Sequence, residues 1–205
     1  MKYIIEGFQG PGAFFMWVIV ITALICIGLV IERIFYLVIK SGLKRASFMA
    51  DIQKIIKKGN IDAGIKYSAK STLPLAKIVN TILVNREKGE KEVNKAVDEV
   101  FLTEVPKLNR VTPLLNTFAN VATLAGLLGT IYGLLLAFDA VANVAAAQRA
   151  QALATGIAVA MATTFAGLCV AIPTILAHGI LTSYTDKLIE EIDEKGAKLV
   201  NLVVS

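Results

Sequence analysis

Between Arg110 and Asp139 the chain carries no charged side chain. Within that window residues 116–138 read N-T-F-A-N-V-A-T-L-A-G-L-L-G-T-I-Y-G-L-L-L-A-F, and this stretch constrains the fold more than any other. As a helix rising ~1.5 Å per residue it is long enough to cross the ~30 Å hydrocarbon layer of a bilayer. It is also unusually polar for a lipid-facing helix. Asn116, Thr123 and Thr130 recur every seven residues, so they project from nearly one face. Gly126, Gly129 and Gly133 form a neighbouring strip with almost no side chain, suited to close helix packing. Such a helix needs a close apolar neighbour on one side and something hydrophilic on another. The expectation is that the polar face borders an ion path.

Two further charge-free gaps make this a membrane chain. Of the 205 residues 56% are hydrophobic and only 18% charged, below the ~25% usual in soluble domains. The first gap lies between Glu6 and Glu32. Its apolar core is too long for a signal peptide and ends in Glu32-Arg33 without a small-residue cleavage site, so it reads as a retained transmembrane helix over 13–39. Phe14, Phe15 and Trp17 at one end and Phe35 and Tyr36 at the other suit the two membrane interfaces. Glu32 and Arg33 are either interfacial charges at a helix end or partners for a neighbouring chain. The third gap contains a span at 156–182. There Ala160, Thr164, Gly167 and Ala171 place small residues at intervals of four, three and four, which lets another helix come close. Pro173 removes one backbone hydrogen bond, to be repaired by threonine side chains or neighbouring helices.

The charged residues set the expected orientation. Residues 40–112 carry fifteen Lys and Arg against eight Asp and Glu, a surplus of seven that places them in the cytoplasm. They read as short amphipathic helices: one closed by Gly59-Asn60, one over 61–69, one starting at S-T-L-P with Pro74 in its first turn, and one after a turn at Lys88-Gly89. Pro106 and Pro113 are expected to bend or interrupt the approach to the second span, 113–138. Residues 1–12 form a periplasmic lead and 139–155, with one acid and one base, a periplasmic connection. Residues 183–205 form an amphipathic cytoplasmic helix, loosened at Gly196, that packs on the other cytoplasmic helices. The fold expected is an all-α membrane protein: three transmembrane helices extended by long cytoplasmic helices, N-terminus outside and C-terminus inside.

No enzyme is visible. The one histidine, His178, suits an interfacial or packed role, and no phosphate loop, dinucleotide fingerprint or metal-ligand spacing appears. No cofactor and no metal is expected. Cys26 and Cys169 lie in apolar runs and read as buried thiols. The basic surplus reads as membrane orientation, not nucleic-acid binding. Spans two and three hold hydroxyls (Thr117, Thr123, Thr130, Thr163, Thr164, Thr174) but no Asp, Glu, Lys or Arg. Hydroxyls solvate an ion or hold water, yet they do not exchange protons near neutral pH. A proton path would therefore need its titrating group from another polypeptide. The spacing leaves open that these threonines bond only to their own helix backbone.

Two motifs carry a resemblance. A-N-V-A-T-L-A-G-L-L-G-T-I-Y-G-L-L-L-A-F (residues 119–138) and A-L-A-T-G-I-A-V-A-M-A-T-T-F-A-G-L-C-V-A-I-P (residues 152–173) resemble the second- and third-span signatures of the ExbB/TolQ/MotA proton-channel family. Glu32-Arg33 and S-T-L-P-L-A-K-I are weaker echoes. Three spans favour the ExbB/TolQ branch. The resemblance implies a homopentamer in the inner (cytoplasmic) membrane, in contact with its lipids, around a dimeric ExbD/TolR-like single-span partner whose intramembrane Asp carries the proton. It implies pore threonines at Thr130 and Thr164, with Thr163 adjacent. It implies a stator that turns ion flow into rotation of one component against the other and so into force on the envelope. Family members often carry an acid where this chain has Val159, which leaves any role of that carboxylate without a residue here. Besides the motor subunit, sequence alone admits a sodium-driven version of it, a solute transporter component and a structural membrane scaffold.

Overall fold

The computed structural model describes residue 8, residues 13–37 and residues 45–204. Most of the lead at 1–12, residues 38–44 with Lys40 and Lys44, and Ser205 lie outside the described residues. Among the described residues seven α-helices follow in order: α1 Ala13–Ile34, α2 Arg45–Lys57, α3 Ile61–Ala69, α4 Pro74–Asn85, α5 Glu90–Asn109, α6 Thr112–Ala142 and α7 Arg149–Val204. Short 3₁₀ turns occupy Arg86–Lys88 and Ala146–Gln148, and a π-type turn follows α1 at residues 35–37. No strand occurs among the described residues. Three of the helical stretches are long and apolar enough to cross a membrane. The chain is an all-α, multi-pass membrane protein.

Some boundaries differ from those read in the sequence. Helix α6 continues as far as Ala142 and α7 begins at Arg149, so the non-helical link narrows to residues 143–148 with a 3₁₀ turn inside it. Helix α7 runs unbroken for 56 residues, through both Pro173 and Gly196. Gly196 is a buried contact, not a loosened joint: a Cβ there would lie 3.4 Å from Ile78 Cγ2. Pro106 sits inside α5, and the chain breaks after Asn109 instead. The N–H that would bond back to the Asn109 carbonyl belongs to Pro113, which has none, while Pro113 is tolerated in the first turn of α6.

The chain divides into two compact units. The first comprises residues 1–31 and 112–179. Its core is made of small side chains: Ala119, Ala122 and Ala171 are at most 1% exposed, with Val170 against them. Helix α1 contributes Met16 and Ile19, both buried, and a ring contact between Phe15 and Tyr132. Its outward side chains, Phe14, Trp17, Leu24 and Ile31, are all more than half exposed, as lipid-facing residues should be. Cys26 is buried, but Cys169 is exposed, on the face of α7 that lines an open groove with Ile27 and Val30 of α1. The Thr174 hydroxyl donates to the Val170 carbonyl (2.7 Å), one residue past the Cys169 carbonyl that Pro173 leaves without its helical partner.

The second unit comprises residues 32–111 and 180–205. Gly59 and Gly89 take positive φ (+74° and +89°) at its two sharp turns, where a Cβ would be strained. Asn60 caps α3 by accepting from the Ala63 N–H. Helix α4 supplies the core with Leu75, Ile78, Val79, Ile82 and Leu83, joined by Val93 of α5 and by Leu188, Ile192, Leu199 and Val200 of α7. Arg33 is buried, and its guanidinium donates to Glu32 (2.9 Å) and to the Leu108 carbonyl (3.0 Å) in the last turn of α5. A cation at a helix C-terminus is favourable because the final carbonyls have no helical partner. Arg33 thus finds its partners within its own chain. Arg45 likewise donates to Glu191, which also accepts from Lys195.

Glu104 of α5 is buried between Lys77 (2.9 Å) and Lys107 (2.6 Å). Burial pushes its carboxyl up, but the hydrogen bonds from Lys107 and Lys77 outweigh that and hold it below the ordinary glutamate value. A depressed folded-state value contributes stability that is complete above the ordinary value of ~4.3 and is lost as pH falls through the folded value. Circular-dichroism melts are therefore expected to show wild type losing stability below about pH 4 and Glu104→Gln losing less over the same interval. Parallel acid profiles would remove Glu104 from this role.

Candidate functional site

The site is built where α6 and α7 come closest. Down α6 the positions Ala122, Gly126, Gly129, Gly133 and Ala137 follow one another at steps of three or four. Up α7 so do Gly156, Ala160, Thr163 and Gly167. The two strips mesh antiparallel. A Cβ on Gly156 would overlap Ala137 Cβ, one on Gly133 would lie 2.8 Å from Ala160 Cβ, and one on Gly167 2.6 Å from the Ala122 carbonyl oxygen. A Cβ on Gly126 would sit 3.1 Å from the Thr163 carbonyl oxygen. Gly129 makes room for Thr163, whose Oγ1 lies 2.7 Å from where that Cβ would be. These glycines therefore bring α6 against α7 of the same chain. Gly156 belongs to the set and was not singled out in the sequence, although its spacing of four from Ala160 is a usable signal.

This closeness gathers three hydroxyls around two backbone carbonyls. The Gly126 carbonyl is within hydrogen-bond reach of Thr130 (3.1 Å), Thr163 (3.3 Å) and Thr164 (3.0 Å). The Ala160 carbonyl is within reach of Thr130 (3.1 Å) and Thr163 (2.7 Å). Thr130 and Thr164 also bond to each other through their hydroxyls. These are six contacts served by three hydroxyl protons. Thr163 is 2% exposed, whereas Thr130 and Thr164 are half-buried and reach the surface of the helix pair. The arrangement offers oxygen lone pairs and orientable O–H groups, the means to solvate a cation or to hydrogen-bond a passing carboxyl.

The other candidates lie elsewhere. Thr123 donates to the Ala119 carbonyl of its own helix (3.1 Å), the local bonding that its spacing left open. Asn116 is exposed on α6, toward the N-terminal end of that helix. Val159 is half-buried on α7, and His178 is half-buried well beyond the cluster along the same helix. Among the described residues no group of three or more His, Cys, Asp or Glu is placed to hold a metal ion. The two carbonyls were invisible to sequence reasoning, because a backbone acceptor has no letter of its own.

Residues 68–194, which include both helix strips and all three clustered threonines, match the MotA/TolQ/ExbB proton channel family. The chain belongs to that family. Among its relatives, a putative biopolymer transport protein, ExbB-like 3, of Synechocystis sp. is 30% identical over 162 residues, 78% of this chain and 77% of the relative. A putative biopolymer transport protein ExbB homolog of Methanothermobacter thermautotrophicus is 29% identical over 163 residues, 80% of this chain; the match spans only 57% of that longer relative. The Tol-Pal system protein TolQ of Haemophilus influenzae is 35% identical over 92 residues, 45% of this chain and 40% of its own length. Membership fits a channel-type subunit, not an enzyme.

Proposed function

We propose that this chain is the pentameric channel subunit of a proton-motive-force-driven motor in the inner membrane. It works with a dimeric ExbD/TolR-like single-span partner that carries the intramembrane Asp and passes force to the cell envelope. The observation that carries this reading is the cluster of Thr130, Thr163 and Thr164 around the Gly126 carbonyl, in spans that hold no Asp, Glu, Lys or Arg. Such a site stabilises a proton-carrying group by hydrogen bonding but does not itself take the proton. In the layout proposed, residues 40–112 and 183–205 lie in the cytoplasm and residues 1–12 and 139–155 in the periplasm. The spans are 13–39, with its cytoplasmic extension, 113–138 and 156–182. The partner's carboxyl is protonated and deprotonated as it passes the half-buried hydroxyls of successive subunits.

Two measurements test this. Native mass spectrometry of the complex purified with its partner is expected to give five copies of this chain to two of the partner, and a monomer without a partner would refute it. Vesicles holding the complex should move protons down an imposed gradient, while vesicles holding this chain alone should not. Equal flux without the partner would show that the titrating group had been assigned to the wrong polypeptide.

A further inference from the structure

Charge is segregated within the second unit. Helix α5 and residues 180–204 of α7 each carry five acids against three lysines. The α2–α3 segment is the reverse: Lys54, Lys57, Lys58, Lys66 and Lys70 are exposed and make no ion pair with the described residues. Between α5 and α7 lies a groove of about 270 Å³ with an apolar floor that includes Val97, Phe101, Ile192 and Val200. Asp98 and Asp193 stand at its rim, and neither carboxylate is paired with a described residue. One turn along α5 from Asp98, on the same face, Leu102 is 74% exposed. It lies outside the spans proposed above, and together with the apolar floor of the groove it adds apolar surface to this face.

We propose that this groove is an interface between copies of the chain and receives the lysine-bearing α2–α3 surface of a neighbouring copy. The inference rests on the homo-oligomer reading above and names the contact that would build it. Lysine fits the chemistry of the site, because its ammonium reaches a rim carboxylate while its stem lies over Leu102. A two-fold contact of groove on groove would set acid against acid, which is repulsive. A head-to-tail contact instead joins the acidic face of one copy to the basic face of the next, and repeated round a ring it uses each face once per copy. A five-membered ring admits only contacts of this kind. A cationic segment of a different protein would cover the acids but leave the five lysines unmatched, so the second copy accounts for both faces.

The test uses the full chain purified with its partner. In native mass spectrometry, Asp98→Lys combined with Asp193→Lys is expected to lower the assembled fraction by about tenfold or more at low salt, with wild-type assembly weakening as ionic strength rises. Adding Lys54→Glu, Lys57→Glu and Lys58→Glu to the same chain swaps both faces and should restore the ring, which a misfolded variant would not allow. A wild-type monomer would overturn the oligomer reading and this inference together. A wild-type ring that survives the aspartate substitutions unchanged would overturn this inference alone. So would loss without rescue, and so would an intact ring that sheds the partner chain, since the groove would then belong to the partner.

Discussion

Gly167→Ala is expected to lower the thermal midpoint of the purified protein by about 5–10 °C, corresponding to about 2–3 kcal/mol for a chain of this size. The added methyl would fall 2.6 Å from the Ala122 carbonyl oxygen and close to the Gly126 Cα. Both obstacles are backbone, so no side chain can swing aside and the helices themselves must separate. Separation loses the dispersion contacts of the whole strip, because small residues hold membrane helices by proximity and not by the area they remove from water. Gly28→Ala and Gly179→Ala are the controls: nothing lies within 4 Å of a Cβ at either position. There the alanine meets no obstacle and gains the ~1 kcal/mol by which it is the better helix former. Equal shifts in the three variants would remove the close approach of α6 and α7 as the source of stability.

The second large effect is on ion flux, and it separates threonines that the sequence treats alike. Thr130→Val and Thr164→Val should each cut proton flux through the complex about 10–100-fold with the assembly intact. A hydrogen bond to an ionised group is worth about 1.5–3 kcal/mol, and in the proposed mechanism the valine variants lack it when the partner's carboxylate passes. Thr163→Val should do the opposite. Its hydroxyl is buried on the Ala160 and Gly126 carbonyls, so the change costs about 1 kcal/mol of helix pairing and leaves flux within about twofold. Serine at 130 or 164 keeps the hydroxyl and should conduct. Valine variants that conduct like wild type would end the ion-path reading, and valine variants that fail to assemble would favour a scaffold.

Periodicity and charge exposed the three spans and the amphipathic helices because those signals are local. Pro74 at a helix start and the turns at Gly59 and Gly89 were legible for the same reason. What sequence did not disclose was which side of a helix meets which neighbour. Asn116, Thr123 and Thr130 share a seven-residue spacing, yet only Thr130 reaches the third span, because the strips of α6 and α7 set the register in which the helices meet. Long-range ion pairs such as Arg45 with Glu191, 146 positions apart, have no local signature at all. Gly196 looked like a break because its helix cost is local, while its burial beside Ile78 is not.

With more acceptors than protons, the hydroxyls of the threonine cluster obey something like the rules of ice. Several assignments of donor and acceptor satisfy nearly the same set of contacts, and passing between them requires only rotation about three C–O bonds. The wall formed by Thr130 and Thr164 is therefore not fixed in polarity. It can turn a lone pair toward a protonated carboxyl and a proton toward an ionised one, on the fast timescale of hydroxyl reorientation and with every heavy atom in place.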